Sequence, residues 1–291
     1  MSKRRRLLLS YCLVVAIALA GFLVLVAGCS KGEVDSGGEA DSVVAFPDSN
    51  LESLVREAIG KASGDIRKSD LSALTDLGGS ELGISDLTGL EYCTSLRQLY
   101  LENNGISDLS PLSGLTSLTV LALPENQISD LSPISGLIGL RELYLGGNQI
   151  GDLSSLSGLS SLTIVGLYSN QISNLAPLSG LSGLTEVYFE GNQISDLTPL
   201  SGLSGIRVLN FEGNQISDLT PLAGLTSLAY LSCLDNEISD IGPLVSNPGM
   251  GSGDVVDLRG NPLNSDSVNT WIPALKGRGV DVCWGTLDSN C

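Results

Sequence analysis

The chain has 291 residues and carries 32 acidic residues against 15 lysines and arginines, so its formal net charge is −17. It contains no histidine, which excludes His-based acid–base catalysis, Ser-His and Cys-His nucleophilic pairs and His-ligated metal sites. The shortage of basic residues argues against nucleic-acid binding, because neutralising phosphates requires a basic surface.

The N-terminal residues have the pattern of an export signal. Basic residues at 3–6 precede an apolar run at 7–26, which is long enough to cross a bilayer. The run ends in Val26-Ala27-Gly28-Cys29, which resembles the lipobox of bacterial lipoproteins. The resemblance implies that residues 1–28 are a signal peptide and that Cys29 carries two or three acyl chains, enough for stable anchoring. An uncleaved membrane helix, with Cys29 as an inert thiol, is the alternative.

Residues 29–45 are rich in Gly, Ser, Glu and Asp, which predicts a flexible tether. Residues 46–77 are predicted to form a helical cap. Five apolar residues share one face of a helix, and the residues from Asp48 to Asn50 supply its N-cap. A second short helix is expected between residues 69 and 77. The apolar face consists of Leu51, Leu54, Val55, Ala58 and Ile59.

Residues 78–263 contain a sequence repeat with a period of 22. An asparagine recurs at this step seven times, and an isoleucine follows it two residues later each time. Such a regular period, with leucines between the asparagines, identifies leucine-rich repeats. The last repeat is stretched by three residues within 247–253, a loop by composition. The asparagines are Asn104, Asn126, Asn148, Asn170, Asn192, Asn214 and Asn236.

Each position of the repeat has a physical role. Leu121 and Leu123 alternate along a short strand and point into the solenoid, so Val120, Ala122 and Pro124 face outward. The recurring asparagine is expected to satisfy buried backbone groups of adjacent turns. An aspartate just before the return segment is interpreted as a turn cap. A calcium ladder is disfavoured, because each repeat offers one aspartate where calcium needs several converging oxygens.

Residues 264–291 are predicted to form the C-terminal cap. Val268, Trp271, Ile272 and Leu275 make an apolar helix stripe, which Pro273 is expected to kink or shorten. Residues 280–284 read as an edge strand that closes the stack.

Three motifs resemble the internalin family of bacterial surface proteins. They are Phe46-Pro47-Asp48-x-Asn50-Leu51, the segment 91–96, and the repeated Asn-Gln-Ile-Ser-Asp-Leu-x-Pro-Leu. The resemblance implies a right-handed horseshoe of α/β class. Its features are a helical N-terminal cap, a concave parallel β-sheet, convex 3₁₀ turns and a helix–strand C-terminal cap. Internalins bind host surface proteins on the concave sheet. In departure from the family pattern, we expect no cell-wall sorting signal and no immunoglobulin-like domain after the repeats, and no particular partner is implied.

The cysteines divide into three groups. Cys93 and Cys233 occupy positions where other repeats have leucine, so we expect both to be buried core residues. Cys283 and Cys291 are predicted to form a disulfide, which an exported protein can keep. A zinc site is disfavoured, since only two thiols and no histidine are available there. We expect no cofactor and no metal.

The outward positions of the strands carry five tyrosines, five glutamates and one asparagine. Tyrosine is enriched at protein interfaces, so these residues predict a binding face for a protein or peptide with basic groups. In the competing interpretation, tyrosine occurs at these positions because it favours β-strands and glutamate because it aids solubility. The predicted face consists of Tyr100, Glu102, Glu142, Tyr144, Tyr168, Glu186, Tyr188, Glu190, Asn210, Glu212 and Tyr230.

Other functions are weaker alternatives. Glu186 and Glu190 form a carboxylate pair of the type that hydrolyses glycans, but an open sheet offers no pocket to raise a carboxyl pKa. We therefore expect the protein to have no enzymatic activity. A structural or glycan-binding envelope lipoprotein remains the alternative function. The sequence thus predicts a monomeric scaffold outside the cytoplasm, held to the membrane by a lipid anchor.

Overall fold

The computed structural model of the protein describes residues 41–286. The predicted signal peptide, the lipidation site Cys29 and the disulfide partner Cys291 lie outside these residues. Within residues 41–286, no helix combines the length and the apolar composition required to span a bilayer.

The architecture is a leucine-rich-repeat horseshoe, as predicted. Ten strands form one sheet in chain order, and every neighbouring pair is parallel. Each strand has three residues. The strands are β1 Asp76–Gly78, β2 Gln98–Tyr100, β3 Val120–Ala122, β4 Glu142–Tyr144, β5 Ile164–Gly166, β6 Glu186–Tyr188, β7 Val208–Asn210, β8 Tyr230–Ser232, β9 Val255–Asp257 and β10 Asp281–Cys283.

The opposite, convex side consists of short helical turns. Seven 3₁₀ turns lie between the first nine strands, and a short helix α3, Gly242–Ser246, replaces the turn before β9. In five of the seven turns a proline lies in the first positions, where its fixed φ suits a helical turn and its missing N–H costs no bond. The 3₁₀ turns are Leu90–Tyr92, Ser110–Leu112, Ser132–Ile134, Ser154–Leu156, Ala176–Leu178, Thr198–Leu200 and Thr220–Gly224.

The core is a stack of repeats that each bury the same set of side chains. One repeat contributes seven residues that are at most 2% exposed, and each stabilises the fold by roughly 1.5–3 kcal/mol relative to full exposure. One repeat cannot bury these faces alone, so the repeats are stable only as a stack. The seven residues are Leu118, Leu121, Leu123, Ile128, Leu131, Ile134 and Leu137.

The recurring asparagines hold adjacent turns together. The Oδ1 atom of Asn170 accepts the N–H of Ile150 at 2.9 Å, and its Nδ2 donates to the carbonyls of Leu145, Leu167 and Tyr168 at 3.0 to 3.1 Å. The same four bonds recur at the five other asparagines from Asn126 to Asn236. The side chain therefore pairs backbone groups that would otherwise be buried without partners.

The predicted aspartate caps are confirmed on the convex side. Asp130 accepts the backbone N–H of Ser132 through Oδ1 and its hydroxyl through Oδ2, both at 2.8 Å. Asn174, which replaces the aspartate once, accepts the N–H of Ala176 at 2.9 Å. An amide caps the turn as a carboxylate does, so capping explains the position.

The N-terminal cap consists of α1, Ser49–Ile59, and a single helical turn α2, Lys68–Leu71. Asp48 caps α1, and Gly60 ends it with φ 65°, a conformation that glycine adopts without strain. The cap also includes residues assigned to the tether by sequence. Asp41 accepts the N–H and hydroxyl of Ser69, and the buried Val44 donates to Ile66.

At the other end, a π-helical turn Ser267–Trp271 continues into α4, Ile272–Gly277, and β10 closes the sheet. Pro273 lies in the first turn of α4. Cys93 and Cys233 are fully buried free thiols, as predicted. Cys283 is disulfide-bonded, while its predicted pairing with Cys291 stays a prediction.

Candidate binding face

The concave face is formed by three residues of each repeat: the first and third residues of the strand and the second residue after it. The middle strand residue points into the core, as Leu99, Leu121 and Leu143 do with no exposed surface. Seven of the eleven residues predicted to bind a partner are first or third strand residues in the register, and the other four are the second residue after a strand. The sequence periodicity thus placed them on one face.

Tyrosine ends every second strand from β2 to β6, and each hydroxyl is hydrogen-bonded within its own strand. Tyr100 donates to Gln98 Oε1 at 2.7 Å, Tyr144 to Glu142 Oε2 at 3.0 Å and Tyr188 to Glu186 Oε2 at 2.6 Å. The two residues of each pair are separated by one inward-facing residue. The bonds therefore fix the rings before any ligand arrives, which lowers the entropy cost of binding.

Small residues make room for the tyrosine rings. Gly166 pairs with Tyr144 across the sheet, and a Cβ added at Gly166 would lie 3.1 Å from Tyr144 Cδ1. At the concave position two residues after the strand, a Cβ added at Gly146 would overlap the ring of Tyr168. Both rings therefore lie against glycine backbone, and a larger residue there would displace them.

Two members of the predicted face are almost covered. Tyr188 is 8% exposed and Asn210 is 9% exposed. The Asn210 amide donates to Glu190 Oε1, and its carbonyl oxygen accepts the N–H of Glu212 at 3.3 Å. These two side chains offer little contact area and chiefly position their neighbours, whereas the other nine are at least partly exposed.

Burial and like charge perturb the acids of the face. The pKa of Glu102 is raised by burial and by the neighbouring Glu125 and Glu81, and among the described residues its Oε2 has no hydrogen-bond partner. Burial also raises the pKa of Glu212, as does Asp257, while Arg259 opposes the shift. A cation arriving at either carboxylate would relieve this repulsion.

The tyrosines remain neutral at physiological pH. Burial raises the pKa of Tyr168 to about 12, with Glu125, Glu102 and Glu190 adding to the shift. The pKa values of the other four tyrosines on the face are raised as well, first by burial and then by nearby carboxylates or their hydrogen bonds. The hydroxyls of Tyr144 and Tyr188 therefore keep the protons that they donate to Glu142 and Glu186.

Some residues of the face were missed by sequence reasoning. Asp257 on β9 forms a 2.6 Å ion pair with Arg259. These two residues lie 25 residues after the concave residues Ser232 and Leu234, because this repeat is three residues longer than the others. A small pocket between α1 and β1 is lined by Leu54, Glu57, Asp76 and Tyr100, among others. The pocket depends on how the cap docks, which no repeat period encodes.

The described residues contain no cluster of three or more His, Cys, Asp or Glu side chains arranged to hold a metal. The glutamates of the face alternate with tyrosines and small residues along an open sheet. The arrangement offers hydrogen-bond acceptors and aromatic surface, which are the features of a recognition surface.

A family model described as "Leucine Rich repeats (2 copies)" matches residues 94–136, 116–159 and 204–246. No curated protein matches the sequence. Internalin C2 of Listeria monocytogenes is 38% identical with a TM-score of 0.68, covering 70% of this chain and 91% of its own.

Two more distant structures share the fold. A leucine-rich-repeat protein of Leptospira interrogans is 21% identical with a TM-score of 0.60, covering 74% of this chain and 62% of its own. The FLRT2 repeats, in a complex with latrophilin 3 and Unc5D, are 23% identical with a TM-score of 0.62, covering 72% and 69%. On the strength of its identity to internalin C2 and its matching repeats, the chain belongs to the internalin family of leucine-rich-repeat proteins.

Proposed function

We propose that the protein is a membrane-tethered scaffold outside the cytoplasm that recognises a basic protein or peptide through its concave Tyr/Glu face. The observation that carries the proposal is the series of Tyr hydroxyls bonded to Gln98, Glu142 and Glu186 on alternate strands. Fixed aromatic rings beside acceptor groups supply contact area and polar contacts at low entropy cost.

Charge and fold both support this function. Six glutamate or aspartate side chains line the face from Glu102 to Asp257. The basic side chain of Arg259 is already paired with Asp257. Basic partners would therefore be attracted and would relieve the repulsion at Glu102. FLRT2, which has a similar fold, assembles with latrophilin 3 and Unc5D, so a repeat stack of this kind can take part in a protein complex.

The test is capture of a partner by the full-length protein in detergent. The wild type would be crosslinked to envelope extract of the source organism and to candidate host surfaces, beside a Tyr144→Ala/Glu142→Gln variant. The control is Gln149→Ala, an exposed residue outside the concave face. All three proteins would first be checked for matching unfolding temperatures.

We expect the wild type and the control to capture the same partner and the double variant to lose it. If all three capture the same proteins, the binding face lies elsewhere and the proposal is wrong. If none captures a protein while glycans bind, the structural or glycan-binding alternative replaces it.

The tether is tested separately at Cys29. Lipidation precedes removal of a lipoprotein signal peptide, so Cys29→Ser is expected to leave residues 1–28 attached and to abolish the acyl chains. Mass spectrometry of the N-terminal peptide would measure both. An unchanged N-terminus in the variant would instead favour the uncleaved membrane helix.

A further inference from the structure

A pocket opens at the edge of the sheet where the N-terminal cap meets the first strand. It has a volume of about 110 Å³ and is lined by residues of α1, β1 and β2. The space exists because the third residue of β1 is a glycine, Gly78, paired with Tyr100. Gly78 is exposed, and a Cβ added there would meet only Tyr100 Cβ and the Tyr100 carbonyl oxygen, both at 3.9 Å. The surface above Gly78 is therefore open, unlike that above Gly166, which the Tyr144 ring covers.

The walls of the pocket are mainly apolar and come from separate elements. Leu54 and Ala58 are half-buried one turn apart on α1, and the buried Leu77 lies on β1. Leu54 packs against the chain at Gly79, where an added Cβ would lie 2.6 Å from Leu54 Cδ2. The hydroxyl of Tyr100 is hydrogen-bonded within its own strand. These walls are thus fixed before a ligand arrives, which lowers the entropy cost of binding.

Two carboxylates border the same pocket. Glu57 lies on α1 and Asp76 is the first residue of β1. Within residues 41–286 neither takes part in an ion pair, since the three ion pairs formed there involve the acids Glu52, Asp70 and Asp257. The negative charges at the pocket are therefore uncompensated, and a cation that enters it would be attracted by both carboxylates.

The volume of the pocket selects one kind of basic side chain. A cavity of about 150 Å³ holds benzene, with its six carbon atoms, so about 110 Å³ has room for about four or five atoms. Lysine has four atoms from Cγ to Nζ, a straight stem that ends in a compact ammonium. Arginine has six atoms beyond Cβ, which end in a planar fork. The pocket therefore fits lysine and is too small for arginine.

We propose that this pocket binds one lysine side chain of the basic partner, with its stem against the apolar walls and its ammonium beside Glu57 and Asp76. An aliphatic stem buries against apolar surface while its charged end stays near water, and the three N–H donors of an ammonium suit two carboxylates. The inference rests on the proposed function, because the lysine belongs to the partner on the concave face. Tyr100 is part of both the pocket and that face, so a bound lysine would fix the partner at the N-terminal end of the sheet.

The experiment measures binding of fluorescein-labelled 12-residue peptides to the full-length protein in nonionic detergent by fluorescence anisotropy. One peptide repeats Gly-Ser-Lys four times, and a second repeats Gly-Ser-Arg four times. A third has trimethyllysine in place of lysine, which keeps the charge, adds bulk and removes the N–H donors. All three carry the same charge, so general attraction to an acidic protein is alike. We expect the lysine peptide to bind about tenfold more tightly than the other two.

A variant at Gly78 separates the pocket from the charge. Gly78→Leu fills the pocket without changing a charge, and the open space around the added Cβ predicts an unchanged fold. It should weaken the lysine peptide about tenfold, to the affinity of the other two, and leave those two unchanged. The matched control is Gly180→Leu, at an exposed glycine where an added Cβ meets nothing within 4 Å. The control should bind all three peptides as the wild type does, and unfolding temperatures check both folds.

A second pair of variants tests the carboxylates. Glu57→Gln should weaken the lysine peptide about fivefold and the other two less than about twofold. Glu237→Gln removes the same charge at an exposed position outside the pocket, and it should change all three affinities alike, by less than about twofold. If Gly78→Leu does not fold, this pair alone decides.

The outcomes distinguish this inference from the function on which it rests. The inference fails if the three peptides bind equally or not at all, or if Gly78→Leu weakens all three alike. If it fails in this way while partner capture still requires Tyr144 and Glu142, the proposed function stands. If capture also ignores those two residues, both fail.

Discussion

At the scale of the residue, one buried asparagine per repeat connects two turns of the chain. Asn170 accepts from Ile150 and donates to Leu145 in the preceding turn, and it also donates to Leu167 and Tyr168 in its own. Hydrophobic packing alone would leave these amides and carbonyls buried without partners. The side chain is therefore required by the backbone and not by the ligand face.

Replacing this asparagine should be costly. Asn170→Ala leaves the Ile150 N–H unpaired in the core, at about 1–3 kcal/mol, whereas the Leu145 carbonyl still accepts from Asn148 Nδ2 at 3.0 Å. We expect the free energy of unfolding to fall by about 2 kcal/mol, measured by urea denaturation. The control is Asn174→Asp, a cap on the same repeat where six other repeats have aspartate, with an expected change below about 0.5 kcal/mol. A loss below about 1 kcal/mol in Asn170→Ala would contradict the argument.

At the scale of the element, Asp48 links the helical cap to the first repeat. Its Oδ1 accepts the N–H groups of Asn50 and Leu51 at the start of α1. Its Oδ2 accepts from Ser85 and Asp86 in the first turn of the stack. One carboxylate thus begins the helix and docks it on the end of the solenoid, where an uncapped core would be exposed.

Asp48→Ala should lower stability at neutral pH by about 1–2 kcal/mol, as N-cap losses do. Burial raises the pKa of Asp48, but four backbone hydrogen bonds outweigh it and lower the pKa below its usual value. The stabilisation is therefore present above about pH 4 and is lost as the pH falls through the folded-state pKa. Thermal unfolding at pH 7 and below pH 3 measures this, and a variant deficit that does not shrink in acid would count against it. Asp48→Asn, which keeps an acceptor, should lose less.

The repeats and the concave positions of the strands followed from sequence because both are periodic. A step of 22 residues repeats one environment, so the inward Leu121 and the outward Tyr144 could be assigned from register alone. The side-chain geometry could not. The Tyr144 ring position depends on Gly166 of the next strand, and its hydroxyl bond depends on the rotamer of Glu142.

The contacts at the N-terminal end of the stack could not be predicted from sequence, for a different reason. Asp41 and Val44 contact residues 66–69, although their composition reads as tether. Tertiary contacts with the cap order them there, which overrides a weak local signal. The pocket at Tyr100 likewise arises where the cap meets the first strand. Each junction between a cap and the repeats occurs once in the molecule, so no repeated sequence pattern predicts its contacts.

At the scale of the whole molecule, the stack couples protonation to stability in alkaline solution. Burial raises the pKa of the Cys93 and Cys233 thiols to about 12, with Glu91 and Asp257 respectively adding to it. Both thiols ionise near pH 8.5 in an unfolded chain. The five tyrosines of the face are shifted in the same direction.

Between about pH 8.5 and 12, the unfolded chain therefore releases protons that the folded protein retains. Stability falls as the pH rises wherever the unfolded state binds fewer protons. Each buried thiol should lower the free energy of unfolding by about 1.4 kcal/mol per pH unit in this range. We expect the urea midpoint to be level between pH 6 and 8 and to decline above about pH 9, with tyrosines adding above about pH 10.

The contribution of the thiols is isolated by Cys93→Ala/Cys233→Ala. This variant is less stable throughout, because alanine leaves cavities in two repeats, but its stability should change little between pH 8.5 and 9.5. The comparison is thus between slopes and not between absolute stabilities. If variant and wild type decline with the same slope in this interval, the thiols ionise equally in folded and unfolded chains, and their burial in the stack is refuted.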